Sequence, residues 1–161
     1  MTKKDDATTV LASNRRARHD YTILDVVEAG IVLYGSEVKS VRAGLVQIAE
    51  AYAHMSHGEM WLENMHVSAY KFSHGVGAHE PVRPRKLLLN RSEIRRLAER
   101  MAKERLTMVP LDVHLRDGRV KVDLALAKGR KKEDRRAAIA EKESKIEMRR
   151  AMGRQRRGKP E

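Results

Sequence analysis

Two runs of alternating apolar residues, joined by a two-residue turn, constrain the fold of this 161-residue chain more than any other feature. In residues 107–115 every second position is apolar or β-branched, and residues 120–126 alternate in the same way. Asp117-Gly118 lies between them and is a strong signal for a tight hairpin turn. Alternation with a period of two is typical of half-buried strands. The sequence therefore predicts an antiparallel hairpin, in which Pro110 marks an edge or bulged position.

Three further segments have the composition of strands. Residues 21–34 are rich in Thr, Ile, Val, Leu and Tyr, and Gly30 interrupts them, which predicts a bulge or a sharp bend. Residues 48–55 and 59–67 flank the short separator Ser56-His57-Gly58, which predicts a second hairpin. About five or six short antiparallel strands with an early bulge favour a small closed barrel of the OB type over an open sandwich.

Two helices are predicted between these strands. Ser36 is placed to cap a short helix over residues 36–43, and Gly44 to end it in a left-handed conformation. A second helix is predicted to start at Asn90, which with Glu93 has the spacing of a capping box. Its apolar positions follow helical spacing: Ile94, Leu97, Ala98 and Met101. Residues 71–84, with two glycines and two prolines, are predicted to form a long loop.

The positive charge of the chain is concentrated near its C-terminus. Of the net +12, residues 1–127 carry +4 and residues 128–161 carry +8, with 14 Lys and Arg against six Asp and Glu. A basic tail on a nearly balanced body indicates a polyanionic partner, with nucleic acid the first candidate, although charge also keeps small proteins soluble. Apolar residues are sparse in the tail, so we expect it to be disordered when free and helical over about residues 136–152 when bound.

These features divide the chain into three parts and exclude several classes of protein. We expect a disordered lead over residues 1–13, a mainly β barrel over 14–127 and the basic tail over 128–161. No apolar run is long enough to span a bilayer, residues 1–10 contain no apolar signal segment, and the chain has no cysteine. The expected location is therefore the cytoplasm, without a membrane partner.

No catalytic constellation stands out in the sequence. P-loop, His-Glu-x-x-His and Gly-x-Ser-x-Gly motifs are all missing. Gly75-Val76-Gly77 lies in the predicted loop and is more typical of loop chemistry than of a phosphate cradle. His54 and His57 flank a predicted turn, but no third metal ligand accompanies them. We therefore expect a protein that is not an enzyme and that has neither a metal nor a cofactor.

Three basic clusters are the best candidates for a binding surface. They are Arg15-Arg16-Ala17-Arg18-His19, Arg83-Pro84-Arg85-Lys86 and Lys128-Gly129-Arg130-Lys131-Lys132. Guanidinium groups pair with phosphates and stack on bases, although each cluster can also be an ordinary solvated run of charge. The chain has only six aromatic residues, and those in predicted strands (Tyr21, Tyr34, Tyr52 and Trp61) are expected in the core. This composition favours a folded RNA, recognised by shape and backbone, over a stacked single strand.

Five blocks of sequence resemble one known family, the bacterial SsrA-binding proteins, or small protein B (SmpB). The blocks are residues 14–21, 28–31, 35–42, 85–90 and 126–131, and the resemblance extends from about residue 14 to about residue 136. It implies an OB-like barrel with two to three flanking helices. We expect the free protein to be a monomer. The resemblance also implies a protein that binds the tRNA-like part of transfer-messenger RNA (tmRNA, or SsrA). With elongation factor Tu, such a protein delivers this RNA to stalled ribosomes for trans-translation.

The resemblance also implies which residues bind RNA. Its RNA-binding positions are Asn14, Arg15, Arg18, His19, Glu28, Leu88, Lys128 and Gly129, to which the basic clusters add Arg85, Lys86, Arg130 and Lys131. For Glu28 we expect a hydrogen bond to a base edge or a 2′-hydroxyl, or the orientation of a neighbouring arginine; an ordinary exposed strand residue is the alternative. From the sequence alone, Leu88 is expected in the core, where it would pack under the RNA site.

In the tail, the resemblance implies contact with the ribosomal decoding centre and the empty mRNA channel. The decoding-centre block is Asp134-Arg135-Arg136, where an arginine replaces the family's lysine and keeps its charge. Two other readings stay open from the residues. One is a ribosomal or assembly protein with a similar barrel. The other is a nuclease, which the lack of a carboxylate or histidine grouping disfavours.

Overall fold

The computed structural model describes residues 8–69, 79–130 and 132–157 of the chain. Within these ranges it has nine strands and four helices. The strands are β1 (Thr8–Ser13), β2 (Tyr21–Ile31), β3 (Val46–Gln47), β4 (Tyr52–Ser56), β5 (Glu59–Glu63), β6 (His66–Val67), β7 (Arg85–Leu88), β8 (Thr107–Arg116) and β9 (Arg119–Gly129). The helices are α1 (Arg15–Asp20), α2 (Gly35–Arg42), α3 (Arg91–Glu104) and α4 (Lys132–Arg157). The chain divides into two compact units, Met1–Gly129 and Arg130–Glu161.

The first unit is built on a ring-like antiparallel sheet. Its seven strands follow the order β1-β8-β4-β5-β7-β2-β9, and β8 also pairs with β9. Between β4 and β8 the ring is joined by one residue pair, Ala53 with Met108. β3 and β6 form a separate two-stranded ladder. The predicted mainly β class with antiparallel strands is confirmed, and α1, α2 and α3 agree with the two to three helices expected beside it.

The core lies inside this sheet and is closed on one side by α3. Strand alternation sends every second residue of β9 inward, as the pattern predicted: Val122, Leu124 and Leu126 are buried with Met60, Leu62 and Leu87. Leu97 of α3 is fully buried in the same cluster. Each fully buried side chain of this size contributes about 1.5–3 kcal/mol to folding. A second, smaller cluster joins Ala17 of α1 to the opposite face of β8 and β9.

Both predicted hairpins are present, and their turns have the expected backbone. Asp117 and Gly118 have φ values of 51° and 75°, and His57 and Gly58 have 52° and 76°. Two successive residues in the left-handed region are the signature of a type I′ turn, which matches the twist of the strands. Pro110 precedes a bulge in β8, between Pro110 and Asp112, and this strand pairs with both β1 and β9. The bulged alternative for Pro110 was therefore right, and the edge alternative was wrong.

The expected disordered lead is wrong for residues 8–13, while residues 1–7 lie outside the described part of the chain. Residues 8–13 form β1, which pairs with β8 from Thr8 opposite Arg116 to Ser13 opposite Asp112. Sequence reasoning missed this strand because its residues show no alternation of apolar and polar positions, which backbone pairing does not require. Thr and Val favour strands, and the edge of β8 provides the backbone partners. The predicted loop over 71–84 falls partly outside the description, which resumes at residue 79.

The predicted helices form, but their N-terminal caps differ from the prediction. α2 starts one residue earlier, at Gly35, where the Glu37 carboxylate accepts a hydrogen bond from the Tyr34 N–H at 2.8 Å. Ser36 instead contacts His79, with Oγ 3.0 Å from Nδ1. At α3 the Asn90 side chain caps no helix N–H; it donates to Glu93 at 3.4 Å. The predicted end of α2 is confirmed, since Gly44 follows the helix with a φ of 78°. Local spacing thus located the helices and this stop without identifying the groups that cap their N-termini.

The predicted burial of the strand aromatics is wrong for Tyr34 and Tyr52, whereas Tyr21 is half-buried and packs against the second, smaller cluster. Tyr34 is 57% exposed and Tyr52 is 42% exposed. Trp61 is only partly buried, because its neighbours Met60 and Leu62 occupy the inner face of β5. A shift of one residue in a strand exchanges the two faces, so the sequence located β5 but placed its faces the wrong way round. The single strand predicted over 59–67 is divided into β5 and β6.

In the second unit the structure describes Arg130 and the helix α4, in which Ile139, Ile146, Met148 and Met152 are exposed. The helix includes the whole segment 136–152 for which helix formation was expected. Disorder of the free tail stays a prediction, and residues 158–161 lie beyond the described chain. In the part of the chain that the structure describes, no helix has the length and apolarity to cross a membrane.

Candidate RNA-binding surface

Asn14 anchors α1 to the barrel. Its Oδ1 accepts a hydrogen bond from the Ala17 N–H at 3.2 Å, and its Nδ2 donates to the carbonyls of Pro110 at 2.9 Å and Ile48 at 3.4 Å. The residue is only 5% exposed. Its side chain is therefore an N-cap that joins three segments. In this structure Asn14 positions α1 and does not present its side chain to a ligand, in contrast to the expectation of RNA contact.

The first basic cluster and the Lys128-Gly129 start of the third meet at one end of the β2–β9 pair. α1 leads directly into β2, whose first residues Tyr21 and Thr22 lie opposite Gly129 and Lys128 of β9. Paired residues in adjacent strands are about 5 Å apart, so the last turn of α1 adjoins the end of β9. We call the exposed set the α1–β9 patch: Arg15, Arg18, His19, Lys128 and Gly129. Arg16 of the same helix is instead paired with Glu50 at 2.9 Å.

Glu28 lies farther along β2 and is held by two cationic side chains of β8. Its Oε2 is 2.9 Å from Nε2 of His114, and both of its oxygens lie 3.1–3.2 Å from Nη1 of Arg116. On the other side of the imidazole, Nδ1 of His114 lies 2.6 Å from Asp112. The suggestion that Glu28 orients an arginine agrees with this geometry. Asp123 of β9 lies opposite both Glu28 and Asp112.

The protonation of this group, the His114 cluster (Glu28, Asp112, His114, Arg116 and Asp123), follows from its hydrogen bonds. Burial by itself lowers the pKa of His114, but the hydrogen bonds to Asp112 and Glu28 outweigh it and raise the pKa. Burial favours a higher pKa for Glu28, but hydrogen bonds from His114 and Arg116 hold that pKa below its usual value. Burial and the neighbouring Asp112 charge raise the pKa of Asp123. The cluster thus holds an imidazolium between two carboxylates.

Three residues of the cluster also have the geometry of metal ligands. One ligand atom each from Glu28, His114 and Asp123 lies within 4.8 Å of the others. Metal binding requires a neutral imidazole with a free lone pair, whereas both nitrogens of His114 are engaged with carboxylates. The geometry therefore favours a hydrogen-bonded network over a cation site. Sequence reasoning missed the cluster because its members become neighbours only through the β2–β9–β8 register.

Leu88 and Glu28 share a shallow hollow, and the expectation that Leu88 belongs to the core is wrong. The hollow has a volume of about 280 Å³ and is lined by Glu28, Gly30, Leu88 and Lys121, among others. Leu88 is 52% exposed. It pairs with Gly30, where an added Cβ would lie only 3.2 Å from the Cβ of Leu88. Glycine thus allows β7 to approach β2 closely. The bulge of β2 lies between Ile23 and Asp25 and not at Gly30, where the sequence predicted a bulge or bend.

The second basic cluster is mostly internal. Arg85 is fully buried, with Nε 2.5 Å from Oε2 of the equally buried Glu37. It also donates to the carbonyls of Met65 and Pro81. Arg83 donates to the same carboxylate and lies over the Tyr34 ring. The expected phosphate contact by Arg85 is therefore wrong for this structure, since an interior guanidinium with a carboxylate partner does not reach an RNA.

The remaining predicted site residues are more dispersed. Lys86 is partly exposed and contacts Glu59 at 3.0 Å. Arg130 is half-buried at the start of the second unit, and Lys131 lies outside the described residues. Asp134 and Arg135 lie in the first turns of α4, and Arg136 is exposed.

Comparison with known proteins gives one consistent family. The model of a family described as SmpB protein matches residues 11–154. The SsrA-binding protein of Parafrankia sp. (strain EAN1pec) is 47% identical over 156 residues, covering 97% of this chain and 98% of that protein. The SsrA-binding protein of Anaeromyxobacter dehalogenans (strain 2CP-C) is 52% identical over 153 residues, covering 95% and 93%. A chain from the solved structure described as "tmRNA-SmpB: a journey to the center of the bacterial ribosome" is 42% identical. It has a TM-score of 0.64 and covers 80% of this chain and 93% of that one.

Proposed function

Because this chain belongs to the SmpB family of SsrA-binding proteins, we propose that it binds the tRNA-like part of tmRNA and delivers it to stalled ribosomes for trans-translation. The names of its relatives and the description of the matching structure support the RNA and the ribosome as partners. The observation that carries the proposal on this chain is the α1–β9 patch. Two basic segments more than 100 residues apart in sequence come together there on one exposed surface.

The barrel supplies two kinds of contact to the RNA. The cations of the α1–β9 patch bind backbone phosphates, and the exposed Gly129 allows the phosphate backbone to approach β9 closely. In the hollow farther along β2, Leu88 offers an apolar contact and Glu28 an acceptor for a base edge or a 2′-hydroxyl. His114 and Arg116 hold that acceptor in place and offset its charge against the RNA. Such an arrangement recognises the shape and backbone of a folded RNA.

The protein acts by placing one RNA on another, without making or breaking a covalent bond. In this proposal it works in the cytoplasm as a monomer when free and joins elongation factor Tu in the delivery complex. The family resemblance supports elongation factor Tu as a partner. The alternative of a general ribosomal or assembly protein predicts stoichiometric sedimentation with all ribosomes. Sequencing the RNA recovered with the protein from cell extract separates the two, since one dominant tRNA-like species is expected here.

The tail contacts the ribosome. Asp134, Arg135 and Arg136 approach the decoding centre, and the rest of α4 follows the empty mRNA channel. At about 1.5 Å per residue, the 26 residues of α4 measure roughly 39 Å, a length suited to an extended path. Its sparse apolar residues and high charge predict that the helix is stable only when rRNA surrounds it.

Truncation after Gly129 tests the two-part arrangement, because the chain divides into its two compact units at this residue. We expect the truncated protein to bind the tRNA-like RNA with nearly wild-type affinity and to support no peptide tagging in a reconstituted translation system. The full-length chain is the control in both assays. Tagging at the normal rate by the truncated protein would show that the tail has no ribosomal role.

Replacing Arg15 and Arg18 by alanine tests the α1–β9 patch. We expect weaker RNA binding and a flatter dependence of affinity on salt, by roughly one unit of slope for each phosphate that is no longer neutralised. Arg16→Ala is the matched control, since Arg16 lies on the same helix but pairs with Glu50. An unchanged slope in the Arg15/Arg18 double variant would place these arginines outside the interface.

A further inference from the structure

A basic groove adjoins the hollow on the other side of Leu88. It has a volume of about 530 Å³ and lies between the β4–β5 turn, β7 and the start of α3. Its lining includes Met55, His57, Lys86, Leu88, Arg91 and Arg95. The sequence patterns assigned no role to Arg91 or Arg95, and the family resemblance assigned them none either. The charged face of α3 has the composition of an ordinary solvent-exposed helix surface.

The charges in this groove are not balanced. Arg91 and Arg95 are exposed and lie one helical turn apart. Among the residues that the structure describes, neither forms an ion pair. Glu59 is the one carboxylate of the lining, and Lys86 already contacts it at 3.0 Å. Two such cations, fixed on a rigid helix beside a groove, create a local positive potential that attracts an anionic chain.

Other arginines of α3 show that this arrangement is not a general property of the helix. Arg96 and Arg100 both lie near Asp25 of β2, at 3.3 Å and 3.5 Å. Arg100 also contacts Glu104. The helix thus uses two arginines to attach to the sheet and leaves two others, Arg91 and Arg95, facing the groove.

Leu88 makes the groove continuous with the proposed RNA-binding surface, because its half-exposed side chain lines both the groove and the hollow that contains Glu28. An RNA strand that crosses Leu88 therefore meets Arg91 and Arg95 next. The groove offers little else for a protein partner, since Met55 and Leu88 are the exposed large apolar residues of its lining. Charge and continuity both favour a polyanion.

We propose that Arg91 and Arg95 bind backbone phosphates of the same tmRNA molecule, so that its path continues from Leu88 along the groove beside α3. This inference rests on the proposed function and extends it by a second phosphate-binding surface. The contacts are electrostatic and sequence-independent, so they add affinity and orientation without reading bases.

The test compares Arg91→Ala/Arg95→Ala with the wild-type protein in binding to a transcript of the tRNA-like part of tmRNA over a range of salt concentrations. We expect the salt slope to fall by roughly two units, one for each phosphate that the variant leaves without its arginine. Arg91→Lys/Arg95→Lys keeps both charges and should retain the slope. Arg96→Ala is the control, because it removes one positive charge from the same helix outside the groove.

Hydroxyl-radical footprinting on the same transcript gives a second, independent readout. We expect the double alanine variant to lose protection over one discrete stretch of backbone and to keep the protection that depends on Arg15 and Arg18. Both substituted residues are exposed, so their removal should leave thermal unfolding unchanged. An unchanged slope with an unchanged footprint would overturn the inference, as would an equal loss in the Arg96→Ala control. If the wild-type protein binds tmRNA, such a failure overturns this inference alone. The proposed function is overturned only if the wild-type protein does not bind tmRNA.

Discussion

Glu37→Gln is expected to be among the most destabilising conservative substitutions in this chain. The Glu37 carboxylate is completely buried and accepts hydrogen bonds from Arg83, from Arg85 and from the N–H of Tyr34. Arg85 is equally buried. Glutamine preserves the shape and removes the negative charge, so it leaves an uncompensated guanidinium in the interior and turns an amide donor toward other donors.

The size of the effect follows from this burial. Removing one partner of a buried ion pair typically destabilises a protein by about 3–5 kcal/mol, a large part of the roughly 5–15 kcal/mol that stabilises an ordinary domain. For a chain of this length, we expect the melting temperature to fall by roughly 6–20 °C. Glu59→Gln is the control, because the Glu59–Lys86 pair is partly exposed and such pairs contribute about 0–1 kcal/mol.

Urea unfolding followed by circular dichroism measures both variants, and the pH dependence tests the cause. Burial favours a raised pKa for Glu37, but the hydrogen bonds from Arg83, the Tyr34 N–H and Arg85 lower it. Because the pKa of Glu37 is lower in the folded state, its charge contributes fully to the free energy of unfolding above the unfolded-state pKa of about 4.3. This contribution is lost as pH falls through the folded-state pKa. The difference between wild type and Glu37→Gln should therefore shrink on acidification. A loss below about 1 kcal/mol at neutral pH, or a difference that grows toward acid, would refute the reasoning.

Three further substitutions test other contacts. At pH values below the ordinary histidine pKa of about 6.5, His114→Gln should lower the free energy of unfolding. This loss should become smaller as pH rises through the raised folded-state pKa of His114. Urea midpoints near about pH 6 and about pH 9 measure the effect, and equal losses at both pH values would contradict the imidazolium. Asn14→Ala removes a helix cap and leaves two carbonyls without their donor, so we expect a loss of about 2 kcal/mol in chemical denaturation. Gly30→Ala should displace the half-exposed Leu88 and weaken tmRNA binding while changing stability by less than about 1 kcal/mol; an unchanged affinity would show that the position of Leu88 is unimportant.

Local patterns in the sequence were enough to identify most elements of the first unit. The hairpin around Asp117-Gly118, the turn at His57-Gly58 and the amphipathic helix that contains Leu97 were predicted from signals within about ten residues and are present. Each depends on backbone preferences or on a period of the same element. The same is true of the division of charge, since a count along the chain separates the basic tail from the body.

The roles of individual charged residues could not be obtained in this way. Arg85 belongs to a basic cluster by sequence, yet it is buried because Glu37, 48 residues away, lies opposite it. Glu28 and His114 are 86 residues apart and meet only because β9 holds β2 and β8 in a definite register. A sequence pattern states that a side chain is charged and says little about which charge will face it.

For this protein the sequence by itself determined the strand-rich class, the main turns, the segregated positive charge and, through the SmpB resemblance, the family. Only the tertiary structure decided which cations are interior supports, such as Arg85, and which are exposed, such as Arg18 and Arg91. The physical reason is that turns and helices depend on neighbours in the chain. Burial and ion pairing depend on long-range strand register, which a one-residue shift would reverse.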